Sequence, residues 1–241
     1  MAKGIFIVGT DTDIGKTVVT AGLMYVLKSK GYNAAYFKAA LSGALEIDNE
    51  LIPGDTKLVS DVSKLEEPYE NITPYVYRNG VSPHLAAKLE NNPIDLDVVK
   101  EKYVYLKEKY DFIIAEGSGG IVCPLIDDER GVYTIGNLIK DLNMSVIIVA
   151  SAGLGTINHT VLTAKYIENL GIKIKGIIIN KYEKDLFYDD NIKMIEKITK
   201  LPIIGKLENI KDINNNEIKT IRINSEKAFS AENIIEHMEE L

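Results

Sequence analysis

The chain has 241 residues, with 28 Lys and Arg against 35 Asp and Glu, and a formal net charge of -7. The acid excess is dispersed rather than gathered in a tail, which argues against a nucleic-acid-binding surface and reads as a solvated face. Its one cysteine, Cys123, excludes an internal disulfide and a cysteine-rich metal site and is read as a small packed hydrophobe.

The first element is a strand over residues 4–8, Gly4-Ile5-Phe6-Ile7-Val8, apolar and β-branched. It leaves no room before it for a secretory signal, and no apolar run in the chain is long enough to span a membrane. A cytoplasmic protein with one domain over 1–241 is expected. Next comes Gly9-Thr10-Asp11-Thr12-Asp13-Ile14-Gly15-Lys16-Thr17, then a helix to residue 30 with Val18, Leu23, Val26 and Leu27 at helical spacing. Strand, glycine-bounded loop and a helix opening on Gly-Lys-Thr are the context of a phosphate-binding loop. Loop amides and the helix N-terminus offer partial positive charge to phosphate. Lys16 adds a full charge, and the Thr17 hydroxyl is placed to ligate Mg²⁺. The loop departs from the common pattern, because five residues rather than four separate Gly9 from Gly15. Two of them, Asp11 and Asp13, are acids, which beside phosphate call for a cationic counterpart such as a metal or an amine substrate.

A second strand over 33–37 ends at Lys38. Residues 39–60 read as irregular, broken by Gly43, Pro53 and Gly54, with a helical turn over 55–62. A loop over 68–83 contains a short 75–77 segment. Helices follow over 84–90, begun by Ser82-Pro83, and over 95–110, with Leu96, Val99, Tyr103 and Leu106 on one face. The remaining predicted strands are 111–116, 145–150, 173–180 and 202–205. The remaining helices are 134–142, 156–170 (closed by Gly171), 189–199 and an amphipathic 230–241, with a polar loop at 214–216. Alternating apolar strands and helices predict an α/β fold with a doubly wound, mostly parallel sheet and helices on both faces.

Ligands of such sheets bind beyond the carboxyl ends of the strands. Residues 9–17, Lys38, 116–120, 151–155 and Asn180 each follow a strand and so gather at one edge. Glu116, beside the phosphate loop, is placed to hold Mg²⁺ directly or through water. Lys38 is placed to stabilise negative charge on a transferring phosphoryl group or a carboxylate. Asp55 is a possible second carboxylate that spacing alone does not identify. His84 and His159 read as packing or capping residues.

Together these motifs resemble those of the dethiobiotin synthetases. The likeness rests on the nine-residue loop, Tyr36-Phe37-Lys38 with Ser42-Gly43, Val81-Ser82-Pro83-His84-Leu85-Ala86-Ala87, Glu116-Gly117-Ser118-Gly119-Gly120 and Gly155-Thr156-Ile157-Asn158-His159. It runs in order from residue 4 to about residue 205. The resemblance implies a P-loop NTPase-like fold and an ATP- and Mg²⁺-dependent ring closure of 7,8-diaminononanoate with CO₂, through a carbamate and a carbamic–phosphoric anhydride. It implies catalytic roles for Lys16 and Lys38, and Mg²⁺ held by Thr17, Asp55 and Glu116. It implies nucleotide contacts from Asp13, Ile14, Gly15, Lys16, Thr17 and Val18, from Asp55, from Glu116, Gly117, Ser118 and Gly119, and from Asn180 and Lys181. Thr12, Asp13, Ser42, Gly153, Leu154 and Asn158 would face the second substrate. It further implies a homodimer with the site at the subunit interface.

The sequence departs from the family at three places: Ala39 follows Lys38 where proline is common, Gly153 stands where a lysine is common, and Lys206-Leu207-Glu208-Asn209 replaces a proline-containing loop. A competing reading is a regulatory ATPase switch of the plasmid-partition or septum-placement type. Those proteins carry an extra lysine five residues before the loop lysine, where this chain has Asp11.

Overall fold

The computed structural model describes residues 1–210 and 216–241. Its centre is β1 (Lys3–Gly9), in which Ile5, Phe6, Ile7 and Val8 are all at most 1 % exposed. Burying each such side chain is worth about 1.5–3 kcal/mol, and a strand covered on both faces needs an unbroken apolar run rather than alternation. The phosphate-type loop leads into α1 (Lys16–Ser29) and then β2 (Ala34–Phe37).

Where irregular chain is predicted, the structure forms three short strands, β3 (Ala40–Ser42), β4 (Leu45–Ile47) and β5 (Glu50–Ile52), before α2 (Gly54–Ser63), which covers the helical turn predicted over 55–62. Glycines and prolines mark these turns correctly, but the three-residue strands between them are too short to show a period. The segment α3 (Tyr69–Ile72) and β6 (Tyr75–Tyr77) follows, with β3 and β6 paired in parallel. Then come α4 (Pro83–Leu89) and α5 (Leu96–Lys109), the latter capped by the Asp95 side chain.

The strand predicted over 111–116 is longer than expected, as β7 (Phe112–Gly120). Glycines at its end suggest a turn, yet the chain keeps pairing with β1 through a bulge. Ile7 faces Glu116 and Gly9 faces Gly120, so four steps of β7 match two of β1. Bulges of this kind re-aim side chains beside functional sites. An unpredicted hairpin follows, β8 (Pro124–Asp128) and β9 (Gly131–Thr134), then α6 (Ile135–Asp141), β10 (Val146–Ala150) and α7 (Thr156–Asn169). The strand β11 (Ile174–Tyr182) outruns its predicted end, and α8 (Leu186–Thr199) starts earlier than predicted, because Asp185 caps it by accepting from the Phe187 N–H.

The last strand of the parallel set, β12 (Ile203–Glu208), is also longer than read. Helix α9 (Glu217–Ala228) is not visible in the sequence, since it buries only Ile221 and Ser225. The predicted closing helix is cut to α10 (Ala231–Glu236), after which β13 (Glu239–Glu240) pairs antiparallel with β1. Of the predicted polar loop at 214–216, residues 214 and 215 lie outside the described residues.

The main sheet runs β12-β11-β10-β1-β7-β2, all parallel, with β13 added to β1. Right-handed crossovers place α1 on one face and α5, α6, α7 and α8 on the other. α1 packs against α2, α9 and α10, and α7 against α8. This is the doubly wound α/β fold expected, with every loop of interest leaving a strand's carboxyl end. Among the described residues no helix is long and apolar enough to cross a membrane.

One polar cluster pins the α2–α3 connection to α5. Glu67, 4 % exposed, accepts from Lys109 Nζ at 2.8 Å, Tyr110 OH at 2.5 Å, Asn71 Nδ2 at 2.7 Å and Tyr105 OH at 3.1 Å. Burial alone would raise the carboxyl pKa, but these four donors outweigh it and hold it at about 2 against an ordinary 4.5. A depressed carboxyl contributes stability that is present above 4.5 and lost as pH falls toward 2. Glu67→Gln is therefore expected to lower stability at pH 7 by about 1.5–3 kcal/mol in urea unfolding. The gap from the parent should narrow at pH 3; an equal gap at both values would contradict the assignment.

Candidate active site

The loop between β1 and α1 is shaped by backbone conformations that few residues tolerate. Gly15, the N-cap of α1, has φ 92°, and Asp13 has φ 56°. A Cβ on Gly15 would lie 2.0 Å from Asn180 Nδ2. No side chain caps α1, so its opening amides are presented to the loop side rather than to a cap. The end of β11 holds the loop from behind. Asn180 Nδ2 donates to the Ile14 carbonyl at 2.9 Å, and Lys181 Nζ donates to the Asp13 carbonyl at 2.9 Å. Lys16 folds back over the loop and donates to the Asp11 carbonyl at 3.1 Å.

Facing the loop is a charge cluster in which Lys38 and Glu116 are buried and Asp55 is partly exposed. Lys38 is 3 % exposed and bridges two carboxylates, Glu116 Oε1 and Asp55 Oδ2, each at 2.8 Å. Glu116 Oε1 also accepts from Thr17 Oγ1 at 2.9 Å, and its Oε2 accepts from Tyr36 OH at 3.3 Å. Asp55 sits in the first turn of α2, where a carboxylate is favoured by the helix dipole. Burial alone would lower the Lys38 pKa, but the Glu116 and Asp55 charges outweigh it and the net shift is upward. Burial alone would raise the Asp55 carboxyl, but Lys38 outweighs it and the net shift is downward. Lys16 is pulled below its ordinary value by burial, against the opposing charge of Glu116. Tyr36 is raised well above its ordinary value by burial and the Glu116 charge, so its hydroxyl stays a donor.

Lys16, Thr17, Lys38, Asp55 and Glu116 line a cavity of about 460 Å³, within the ordinary range for small-molecule sites. Of the predicted residues, Thr12, Asp13, Gly15, Lys16, Thr17, Val18, Lys38, Ser42, Asp55, Glu116, Ser118, Gly119 and Lys181 all border it. The β7 bulge delivers Ser118 and Gly119 there, with Gly119 at φ 65°. Ile14, Gly117 and Asn180 support the walls through their hydrogen bonds to Asn180, Lys38 and Ile14 respectively. Gly153, Leu154 and Asn158 follow β10 at the same sheet edge but do not border the cavity, and Leu154 is 95 % exposed. The acids Asp11 and Asp13 are both exposed, and the contacts that tie them to lysines are made by their backbone carbonyls. Cys123 is half-buried with its thiol pKa raised by burial, which fits a packed residue.

The sequence reading missed Tyr36 and Leu41. Tyr36 stands two residues before Lys38 on extended chain, so both point to one side; that spacing was the available signal.

Comparison with known proteins decides the family. A family model described as an AAA domain matches residues 3–217. A protein of Clostridium kluyveri called ATP-dependent dethiobiotin synthetase BioD is 90 % identical over 241 residues, covering all of both chains. The chain belongs to the dethiobiotin synthetase family. Further dethiobiotin synthetases from Clostridium novyi (58 % identical, covering 92 % of this chain and 94 % of that one) and Clostridium acetobutylicum (51 %, covering 99 % and 100 %) agree. Membership makes this synthetase a ligase. Among solved structures, a MinC:MinD cell division complex from Aquifex aeolicus matches with TM-score 0.57 at 16 % identity, covering 98 % of this chain and 93 % of that one. A ParA family ATPase from Chlorobium tepidum matches with TM-score 0.57 at 15 %, covering 98 % and 96 %. At that identity the likeness is one of fold, an α/β fold around a mostly parallel sheet.

Proposed function

We propose that the protein closes 7,8-diaminononanoate and CO₂ into the cyclic urea dethiobiotin at the expense of ATP. The observation that carries this reading is the full-length match, at 90 % identity, to a protein of that name. The cavity supports it, with a phosphate-type loop on one wall and the Lys38 cluster on the other. In the proposed sequence one amine forms a C–N bond to CO₂ and loses a proton, giving a carbamate. A carbamate oxygen attacks the γ-phosphorus and ADP leaves, giving the carbamic–phosphoric anhydride. The second amine then attacks the carbonyl carbon, phosphate leaves, and the ring closes.

Such phosphoryl transfer is mostly positioning and charge stabilisation. The amides at Gly15 and the opening of α1 receive the phosphates, Lys16 bridges the loop to them, and Lys38 stabilises the carbamate and the transferring group. Gly117, Ser118 and Gly119 approach the phosphates through backbone, Asn180 and Lys181 lie toward the base, and Thr12, Asp13 and Ser42 face the diamine. The cluster fits Mg²⁺: Thr17 Oγ1 meets Glu116, and Asp55 shares the Lys38 ammonium with it, so three hard oxygen donors converge. Mg²⁺ prefers one or two protein carboxylates plus phosphates over an all-protein cage, and among the described residues no group of three or more His, Cys, Asp or Glu could form such a cage. When bound, the ion neutralises phosphate charge. Gly153, Leu154 and Asn158 lie off this cavity at the N-terminus of α7, and we assign them to the substrate carboxylate in the cavity of a second copy. The whole chain is one catalytic unit in this reading, resident in the cytoplasm.

The switch-ATPase alternative has only the fold in its favour, and Asp11 occupies the position of the switch lysine. Incubation with ATP, Mg²⁺, labelled bicarbonate and 7,8-diaminononanoate is expected to give acid-stable label, with ADP release dependent on the diamine. Rapid ADP release without diamine, and no stable label, would replace this reading with the switch.

A further inference from the structure

We propose that Tyr36 is a positioning residue for the metal-holding carboxylate, acting through a buried chain of hydroxyls that ties Glu116 to the helix carrying Asp55. The inference rests on the reading that Glu116 helps to hold Mg²⁺. Tyr36 is 0 % exposed, an unusual fate for a phenol unless its hydroxyl has a task. That hydroxyl donates to Glu116 Oε2 at 3.3 Å, while Oε1 is the oxygen turned to Thr17 and Lys38. The division is specific: Tyr36 occupies one carboxylate oxygen and leaves the other pointing at the cavity.

Behind Tyr36 the chain of hydroxyls continues. Thr56, the residue after Asp55, shares a 2.6 Å hydrogen bond with Thr73, and both are buried. The Thr56 hydroxyl also neighbours that of Tyr36. Thr73 follows α3, whose Ile72 carbonyl accepts from the Lys38 N–H at 2.8 Å. Tyr36, Thr56 and Thr73 thus tie Glu116 to the residue after Asp55, and the Ile72 carbonyl ties the Lys38 backbone to the same segment, through buried groups that lie outside the phosphate-type loop. Outer hydrogen-bond partners that orient a metal-ligating carboxylate commonly change metal affinity by about 10–100-fold when removed.

The test measures Mn²⁺ binding in the presence of ADP by water-proton relaxation, with thermal unfolding alongside. Tyr36→Phe keeps the ring and is expected to weaken Mn²⁺ by about 10-fold, the lower end of that range. Tyr103→Phe, which removes another buried hydroxyl on the opposite side of β2 (Tyr103 packs on Phe37 and donates to the Leu142 carbonyl), should leave Mn²⁺ affinity unchanged. Glu116→Gln should weaken it more than either. If Tyr36→Phe matches the parent while Glu116→Gln weakens binding, the role of Tyr36 is overturned and the metal assignment stands. If Glu116→Gln also matches the parent, the metal assignment itself falls and this inference with it. An equal loss in Tyr103→Phe would reduce the effect to packing and overturn the inference. Should Tyr36→Phe not fold, the pair Thr56→Val and Thr56→Ser carries the test: Val should weaken Mn²⁺ and Ser restore it, and equal affinities would overturn the chain of hydroxyls.

Discussion

Lys38→Met is expected to lower turnover by about 10²–10³-fold, the usual cost of removing one group that stabilises transition-state charge. ATP binding should change far less, because the loop amides and Lys16 remain. The same substitution carries a stability effect with a separate cause. The Glu116 side chain is 0 % exposed and the Lys38 side chain 3 % exposed. Removing one partner of a buried pair strands the other charge, which costs about 3–5 kcal/mol. The sign with pH follows from the shifts. The Lys38 pKa is raised, so its contribution is complete below the unfolded value near 10.4 and is lost as pH rises through the folded value. The Asp55 pKa is lowered from 3.8, so its contribution is present above 3.8 and is lost as pH falls through the folded value. Between these limits the cluster is intact, and the Lys38→Met deficit should be flat from pH 5 to pH 9 in urea unfolding. A turnover number equal to the parent's would remove Lys38 from the chemistry.

Gly15→Ala should be nearly as damaging, through geometry rather than charge. A non-glycine residue at φ 92° costs about 1–2 kcal/mol. The new methyl would also meet Asn180 Nδ2 at 2.0 Å, which forces that side chain off the Ile14 carbonyl. Displacing the loop by about 1 Å is enough to cost about 10²-fold in turnover. Calorimetric titration with ATP should show the loss directly. The double variant Gly15→Ala/Asn180→Ala removes the obstructing amide and should recover part of the lost Tm. If the double variant is as unstable as the sum of the two singles, the clash is not the cause.

Much of this was legible in the chain because parallel strands buried on both faces are continuous apolar runs. Residues 4–8, 145–150 and 173–180 could hardly be read otherwise, and once they are placed the carboxyl-end rule collects Lys16, Lys38 and Glu116. Asp55 was within reach only through resemblance, since nothing in its spacing distinguishes it; α2 brings it to Lys38 through a connection of short strands without periodicity. The glycines after Glu116 put the end of the predicted strand too early, at residue 116, for a physical reason. They imply freedom of the backbone, and either a turn or a bulged strand uses that freedom; pairing of Gly9 with Gly120 selects the bulge, and pairing is not a local property. Helix α9 was invisible because it buries only Ile221 and Ser225, and part of what holds it is polar. Arg222 Nε and Nη2 donate to the Val62 and Asp61 carbonyls at 2.8 and 2.9 Å, closing the end of α2 from a distance of 160 residues in sequence.

The position of β1 at the middle of the sheet has a consequence for synthesis on the ribosome. Phe6 is matched with Val146, and Lys3 with Glu240. At about 5–20 residues per second, roughly 7–28 s pass between translation of the first strand and that of its partner β10. Through that interval Ile5-Phe6-Ile7-Val8 lacks β10, and until β7 has been made it has neither neighbour, so this newborn, sticky segment is most exposed to capture by other nascent chains. The strand that organises the finished enzyme is thus the one most dependent on protection while the chain is being made, and slower translation of the first half should raise the aggregated fraction.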